Sequence, residues 1–435
     1  MTAQIAVMNA QAVALASDSA VTRADMKIFN SANKLFMLSK YHPVGIMVYG
    51  NADFMEIPWE VIIKIYRGEL GKRGFGTLAE QTEHFLSFLD NGCRLFPQSE
   101  QDKFVKHAIY QYFKLVRDDI KKAVEAKIKK DGAIDGREVE TTVAQTLDQH
   151  HLRWKQAQNI SSLPETFNAS VIDKYGELID KAIQEVFERL PLQGTQTDQL
   201  REIAGSLFSK FPPGISQEPS SGIVIAGFGE TESFPSVKSF TMIGVANNRL
   251  KYQEVKAQSA SIGLDGPHAS IMPFAQMEMV ATFAEGIDPR QRETIDSYVS
   301  QLLTGYSALV INSITRLDET EKTDLRKRLE EESAKVLADF QQRLVKYRRE
   351  HHVAPLLGVV RTLPKDELAA IAEALVNLTS FKRKVSPEAE TVGGPIDVAV
   401  ISKGDGFVWI KRKHYFKAEL NPHFLMNYLR EENHD

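Results

Sequence analysis

The hydrophobic periodicity of this 435-residue chain changes character four times, and few architectures tolerate that order. Short apolar runs read as strands in the first fifty residues, again across 222–263, and once more across 396–411. Between them, apolar residues recur at three- and four-residue spacing, as on amphipathic helices. Strands, helices, strands, helices, strands is neither α/β alternation nor a helical bundle. It suits two stacked antiparallel sheets with helices over each outer face. The expected class is therefore α+β, a four-layer αββα sandwich carrying large helical insertions.

Gln4–Met8 and Ala12–Ala16 flank the turn Asn9-Ala10-Gln11, and Lys34–Leu38 and Gly45–Tyr49 flank a second turn. Four strands in two hairpins thus begin almost at the first residue, where most chains are loosely held. Helical spacing follows in Trp59–Leu70, Leu78–Leu89, Lys103–Lys129 and Tyr175–Leu190. Strands return at Gly222–Phe228, Ser236–Ile243 and Leu250–Val255, and Ser259–Gly263 is expected to lead into a helix over Ile271–Glu285. A second helical block spans 289–347, with Leu325, Leu329, Val336, Phe340, Leu344 and Tyr347 along one face. The helix Lys365–Leu378 precedes two last strands, Ile396–Ser402 and Phe407–Lys411. The expected division is core 2–70, helical insertion 71–221, core 222–287, helical insertion 288–363, and a final core segment with a tail, 364–435.

A net charge of −4 and a pI near 6.3 give no electrostatic case for nucleic acid or an anionic membrane. No run approaches the roughly 20 apolar residues of a membrane span, and no basic leader precedes the first apolar segments, so a cytoplasmic protein is expected. The one cysteine, Cys93, reads as a packing residue and excludes an intrachain disulfide. The adjacent pairs His150-His151 and His351-His352 read as solvated helix residues rather than metal ligands, and no metal or cofactor is expected. Gly227-Phe228-Gly229 lacks the following glycine and helix of a dinucleotide site.

Three polar residues interrupt the strand pattern: Thr2 starts the first strand, Asp18 follows the second, and Lys34 opens the third. If those strands are neighbours in one sheet, the three side chains meet at one end of it. A threonine hydroxyl needs an adjacent base to become a nucleophile. The α-amine exposed by removing Met1 would have a reference pKa of about 7.7–8.0, close enough to neutrality for that task. A lysine held by a carboxylate stays protonated and favours the alkoxide.

The run Val13-Ala14-Leu15-Ala16-Ser17-Asp18-Ser19-Ala20-Val21-Thr22 resembles the proteasome β-subunit motif, in which an apolar strand runs into Ala-Asp-Ser and ends in Ala-Thr. That family also spaces its threonine, aspartate and lysine by sixteen and sixteen, the intervals from Thr2 to Asp18 and from Asp18 to Lys34 here. Tyr49-Gly50-Asn51-Ala52-Asp53 resembles its glycine turn, which implies that the Gly50 amide, or Asn51 one residue on, is the oxyanion donor. Gly222–Phe228, Ser261-Ile262-Gly263 and Gly393-Gly394-Pro395-Ile396-Asp397-Val398 are similar to later strands of the family. The likeness covers about residues 2–70, 222–285 and 364–412. Where the family has a serine after its eighth strand, this chain has Leu264 and Asp265. Where it has Asp-x-x-Ser before Gly-Gly, this chain has Glu388-Ala389-Glu390-Thr391-Val392. Asp265, Glu388 and Glu390 are thus the candidates, with Ser19, to support the threonine amine.

The resemblance implies an N-terminal-nucleophile hydrolase of the threonine peptidase type, acting on peptide or other amide bonds. It further implies a homo-oligomer, with an unfoldase or other protein partner on the helical insertions. Two other readings stay open: an amidase for a small non-peptide substrate, and an inactive scaffold on the same fold.

Overall fold

The computed structural model describes residues 2–22, 28–90, 94–215, 220–314, 316, 318–386, 392–414, 416–423 and 426. Met1, Cys93, Glu388 and Glu390 lie outside them. The chain is α+β, with two main antiparallel sheets and eleven α-helices among the described residues.

β1 (Ala3–Asn9) and β2 (Ala12–Ser17) form the first hairpin, with Gln4 opposite Ser17. The Asn9 carboxamide closes its turn by accepting from the Gln11 amide at 2.9 Å. The second hairpin, β3 (Leu35–Met37) and β4 (Val44–Gly50), lies in the other sheet. The condition that the first three strands are neighbours in one sheet is therefore not met. Both edges of β2 are already taken, one by β1 and the other by β10 (Asp397–Ser402), which leaves β3 no place beside it.

The rest of the second sheet comprises β5 (Ser221–Gly227), β6 (Ser236–Ala246) and β7 (Arg249–Glu254), with the short β8 (Ala260–Ser261) also pairing with β6. Its order is β7-β6-β5-β4-β3. The first sheet runs β9-β1-β2-β10-β11, where β9 is Ala269–Ala275 and β11 is Gly406–Lys411. The expected helix over Ile271–Glu285 is thus a strand followed by a short helix, α7 (Glu278–Glu285). Pairing with β1 along all seven residues holds this segment extended, and the outer strand of a sheet tolerates the missing N–H of Pro273. It sits there opposite Ile5.

Alternation along β1 sends its side chains to two different cores. Ala3, Ile5 and Val7 join Leu368, Ala372 and Val376 of α11 (Lys365–Val385). Ala6 and Met8 join Leu35, Met47, Val224 and Ala226 of the second sheet. The opposite face of the second sheet, through Ile46, Val48, Ile223 and Ile225, packs on α1 (Trp59–Leu70) and α2 (Leu78–Asp90).

α3 (Gln98–Asp131), α4 (Gly136–Gln156), α5 (Phe167–Phe187) and α6 (Gly194–Ser206) share a core of their own, built around residues such as Phe113, Trp154, Ile179 and Leu200. His150 belongs to this core, which corrects its reading as a solvated residue. It is buried, 2.9 Å from the Tyr112 hydroxyl and 3.4 Å from Asp119, and burial pushes its pKa down. α8 (Pro289–Ser313) and α9 (Glu319–Arg348) form a helical hairpin, and α10 (Ala354–Val360) leads back to the core. On α9 the inward line runs Leu325, Leu329, Ser333, Leu337, Phe340 and Leu344, while Val336 and Tyr347, expected on it, are exposed.

Phe274 is fully buried on β9 in the cluster that the two sheets share. Phe274→Ala should cost about 3–5 kcal/mol, measured as a shift in the urea midpoint. A loss below about 1 kcal/mol would show that β9 does not depend on this contact.

Candidate active site

Asp18 is fixed by the hairpin before any other group reaches it. Its amide donates to the Ala3 carbonyl at 3.1 Å, continuing the β1–β2 ladder by one residue. Its Oδ1 accepts the Ala3 amide at 3.1 Å, and its Oδ2 accepts those of Ala20 and Gly393, each at 3.2 Å. A carboxylate that is 1% exposed has given up its water contacts, and these amides replace them.

Lys34 arrives from the other sheet, one residue ahead of β3, and its carbonyl accepts the Val48 amide at 2.8 Å. Its Nζ donates to Asp18 Oδ1 at 2.8 Å, to Thr2 Oγ1 at 2.9 Å and to the Ala20 carbonyl at 2.5 Å. Three acceptors match the three protons of an ammonium group. Burial holds Lys34 below the usual lysine range; Asp18 opposes that shift and the positive charge of Lys413 adds to it. Thr2 precedes β1, accepts the Gln276 amide on its carbonyl at 3.3 Å, and is 4% exposed. Two residues on, the Gln4 carboxamide donates to Ser17 Oγ at 3.0 Å and to the Val48 carbonyl at 2.7 Å, tying the two sheets together behind Thr2.

The three residues singled out by spacing therefore meet, but across the gap between the sheets rather than along the end of one. Gly50 ends β4, two residues past the Val48 that both Lys34 and Gln4 engage. Its φ of +79° requires glycine, since a Cβ there would lie 2.7 Å from the Ser220 carbonyl. The Asn51 amide donates to that carbonyl at 3.1 Å, so it is already engaged. Ser19 turns away from Thr2. Its hydroxyl donates to the Pro395 carbonyl and its amide to the Gly393 carbonyl, clamping the end of β2 to the glycine turn. Asp265 is exposed on the loop between β8 and β9, and among the described residues it makes no hydrogen bond to Thr2, Asp18 or Lys34.

Two contributors escape sequence reasoning. The Gly393 amide completes the shell around Asp18, which the Gly393-Gly394 pair hints at only as a turn. Asp397, opposite Ser17 on β10, is buried and forms an ion pair with Lys413, whose amide also donates to its Oδ1 at 2.8 Å. The only sequence signal for this pair is a charged residue at the head of an apolar strand. A cavity of about 290 Å³ opens beside it, lined by Asn33 and Leu35 on either side of Lys34 and by Asp397, Trp409 and Lys413. Among the described residues no helix is long and apolar enough to cross a membrane, and no group of three or more His, Cys, Asp or Glu residues has a geometry able to hold a metal ion.

No protein-family model matches this chain, and no curated protein does. Among solved structures it is similar to "Anbu (ancestral beta-subunit) from Yersinia bercovieri", with 9% identity over 98% of this chain and 94% of that one and a TM-score of 0.29.

Breaking a buried ion pair by removing one partner typically costs about 3–5 kcal/mol. Asp18→Ala strands a buried ammonium, whereas Lys34→Met leaves a carboxylate that still has three amide donors. Asp18→Ala should therefore be the more destabilising, and the double variant should lose less than the sum of the singles. A urea double-mutant cycle that came out additive within about 0.5 kcal/mol would remove the coupling.

Proposed function

We propose that this protein is an N-terminal threonine hydrolase of peptide or other amide bonds, built on a proteasome β-subunit-like, four-layer αββα core of the N-terminal-nucleophile type. The observation that carries the reading is the Lys34 ammonium, 2.9 Å from the Thr2 hydroxyl and bound to a buried carboxylate. Support for the layer order comes from the two cores that flank each sheet, one shared between the sheets and one under helices. In this reading residues 2–70, 222–287 and 364–435 form the core, and 71–221 and 288–363 are insertions.

Removal of Met1 frees the amine of Thr2. The three protons of Lys34 are directed at Thr2 Oγ1, Asp18 and Ala20, so the hydroxyl proton passes to that amine. Oγ1 attacks the substrate carbonyl carbon, and the charge gathering on the carbonyl oxygen is met by the Gly50 amide. The C–N bond breaks, the leaving amine takes the proton, and an ester on Oγ1 remains. Water, deprotonated by the same amine, then hydrolyses the ester and restores the hydroxyl. Asp18 holds Lys34 in place and keeps it charged. Ser19 positions the β2 end. Asp265, Glu388 and Glu390 remain candidates for supporting the amine. The same reading includes a cytoplasmic homo-oligomer with a protein partner on the insertions.

Thr2→Ala should abolish covalent modification by an N-terminal-threonine-directed electrophile and lower amide turnover by at least about 10⁴-fold, read by mass mapping and single-turnover assay. Turnover retained in Thr2→Ala refutes the mechanism. Cleavage of acylated small molecules without cleavage of peptides would make the protein an amidase.

The rate should rise with pH as the amine loses its proton, near its reference value of about 7.7–8.0. It should fall again as Lys34 loses its own, at a pH below the ordinary lysine value of about 10.4 because burial lowers that pKa. A rate–pH profile still flat above pH ~10.4 would show that the charge on Lys34 is not used.

A further inference from the structure

Alternation along β9 breaks at its last residue. Met272 and Phe274 face the second sheet, while Ala269 and Ile271 join the cluster under α11. The register sets Ala3 opposite Ala275, and continued by one pair it brings Gln276 opposite Thr2. The Gln276 amide does donate to the Thr2 carbonyl there, at 3.3 Å. By the same alternation its side chain belongs on the face that holds Phe274, which is also the face from which Thr2 Oγ1 meets Lys34. Cross-strand neighbours stand about 5 Å apart at Cβ, so a carboxamide on that face would lie against the nucleophile.

It lies on the other side. Ala275 has a φ of +65°, in the left-handed region that alanine rarely adopts. The turn carries the Gln276 carboxamide toward α11, where its Oε1 accepts from Arg383 Nε at 2.7 Å. Arg383 follows Leu368, Ala372, Val376 and Thr379 on the buried face of α11 and is itself only 7% exposed. Its Nη2 pairs with Glu278 at 3.3 Å, and Glu278 also meets Arg290 at 3.2 Å. A hydrogen bond from a guanidinium is stronger than one between neutral groups, and this one is sheltered from water. A strained alanine and a buried cation thus converge on the residue that stands beside Thr2, and strain of this kind persists only where its surroundings enforce it.

We infer that Arg383 is a positioning residue of the Thr2 site, holding the Gln276 carboxamide on the α11 side of the sheet and so keeping the face of Thr2 Oγ1 open to a substrate carbonyl. The inference deepens the hydrolase reading and rests on it. Gln276 then has two separate tasks: its backbone fixes Thr2, and its side chain is kept away from it. Without Arg383 the backbone at Ala275 relaxes to an extended conformation, and the carboxamide returns to the cleft.

The test compares the wild type with Arg383→Met, alone and with Gln276→Ala. A crystal structure of Arg383→Met should show the carboxamide on the Thr2 face and Ala275 at negative φ; a carboxamide still on the α11 side overturns the inference. With an N-terminal-threonine-directed electrophile, Arg383→Met should lower kinact/KI at least about tenfold while kinact changes less than about threefold, because access is lost and the chemistry is kept. Adding Gln276→Ala removes the obstructing group and should restore kinact/KI to within about threefold of the wild type. Ala275→Val disfavours the left-handed turn with Arg383 in place, and should give the same loss and the same rescue. A fall in kinact instead, or no recovery in the double variants, shows that Arg383 serves the fold alone and overturns the inference while the Thr2 chemistry stands. A wild type that the electrophile leaves unmodified overturns both.

Discussion

The structure depends on one buried charge bridging its two sheets. Asp18 belongs to the first sheet by its backbone and Lys34 to the second, and the 2.8 Å contact between them lies almost wholly out of water. Desolvating two such ions costs several kcal/mol each, and their attraction repays this only when every remaining proton and lone pair is engaged. Here three backbone amides fill the carboxylate and a hydroxyl and a carbonyl complete the ammonium. The pair is thus stable only in one arrangement of the β2 end, the Gly393 turn and the start of β3.

The surrounding strands are adapted to that polar corner. β1 and β2 are rich in alanine, with Ala3, Ala6, Ala12, Ala14 and Ala16 all buried, so α11 can pack closely on one face and the second sheet on the other. At the end of the sheet the apolar packing stops abruptly. Gln4 crosses to Val48, Ser19 reaches the Gly393–Pro395 turn, and Asp397 with Lys413 places a second ion pair beside the strand that carries Asp18. A second positive charge in a low-dielectric region lowers a lysine's affinity for its proton. Burial and Lys413 act on Lys34 in this sense and Asp18 in the opposite one, and the lowering prevails.

Much of this was legible before any coordinates. Thr2, Asp18 and Lys34 stood out because a polar residue at the edge of an apolar strand needs a reason, and their equal spacing supplied one. The sheet assignment was not legible. Hairpin logic pairs neighbours in sequence, but the choice between β3 and β10 as the second neighbour of β2 is made by packing some 380 residues away. β9 was misread because Ile271, Phe274 and Met277 happen to follow helical spacing, and Pro273, in what would be the first turn of that helix, gives no contrary signal. Charge–charge contacts such as Asp397 with Lys413 leave no periodic trace, since neither residue is near the other until the last hairpin closes. The burial of His150 was equally hidden, because a helix core that accepts a histidine does so through a tyrosine and an aspartate on another helix.

The two helical blocks illustrate opposite solutions to the same problem. Helices added to a finished sandwich must bury their apolar faces somewhere, since short helices are marginal by themselves. The first block does so internally and then locks to the sheet. Lys251 on β7, fully buried, donates to the Leu207 carbonyl at 2.5 Å and lies 4.6 Å from the ring of Phe211. A lysine so enclosed is pushed well below its usual pKa. It is tolerated because it replaces water contacts with a carbonyl and an aromatic face at the junction. The second block is tied to α7 and α11 by ion pairs instead, Asp288 with Lys382 and Glu285 with Arg292 and Arg348. Its hairpin satisfies one seam through α9 and leaves the other to solvent, although both helices begin with well-formed aspartate caps.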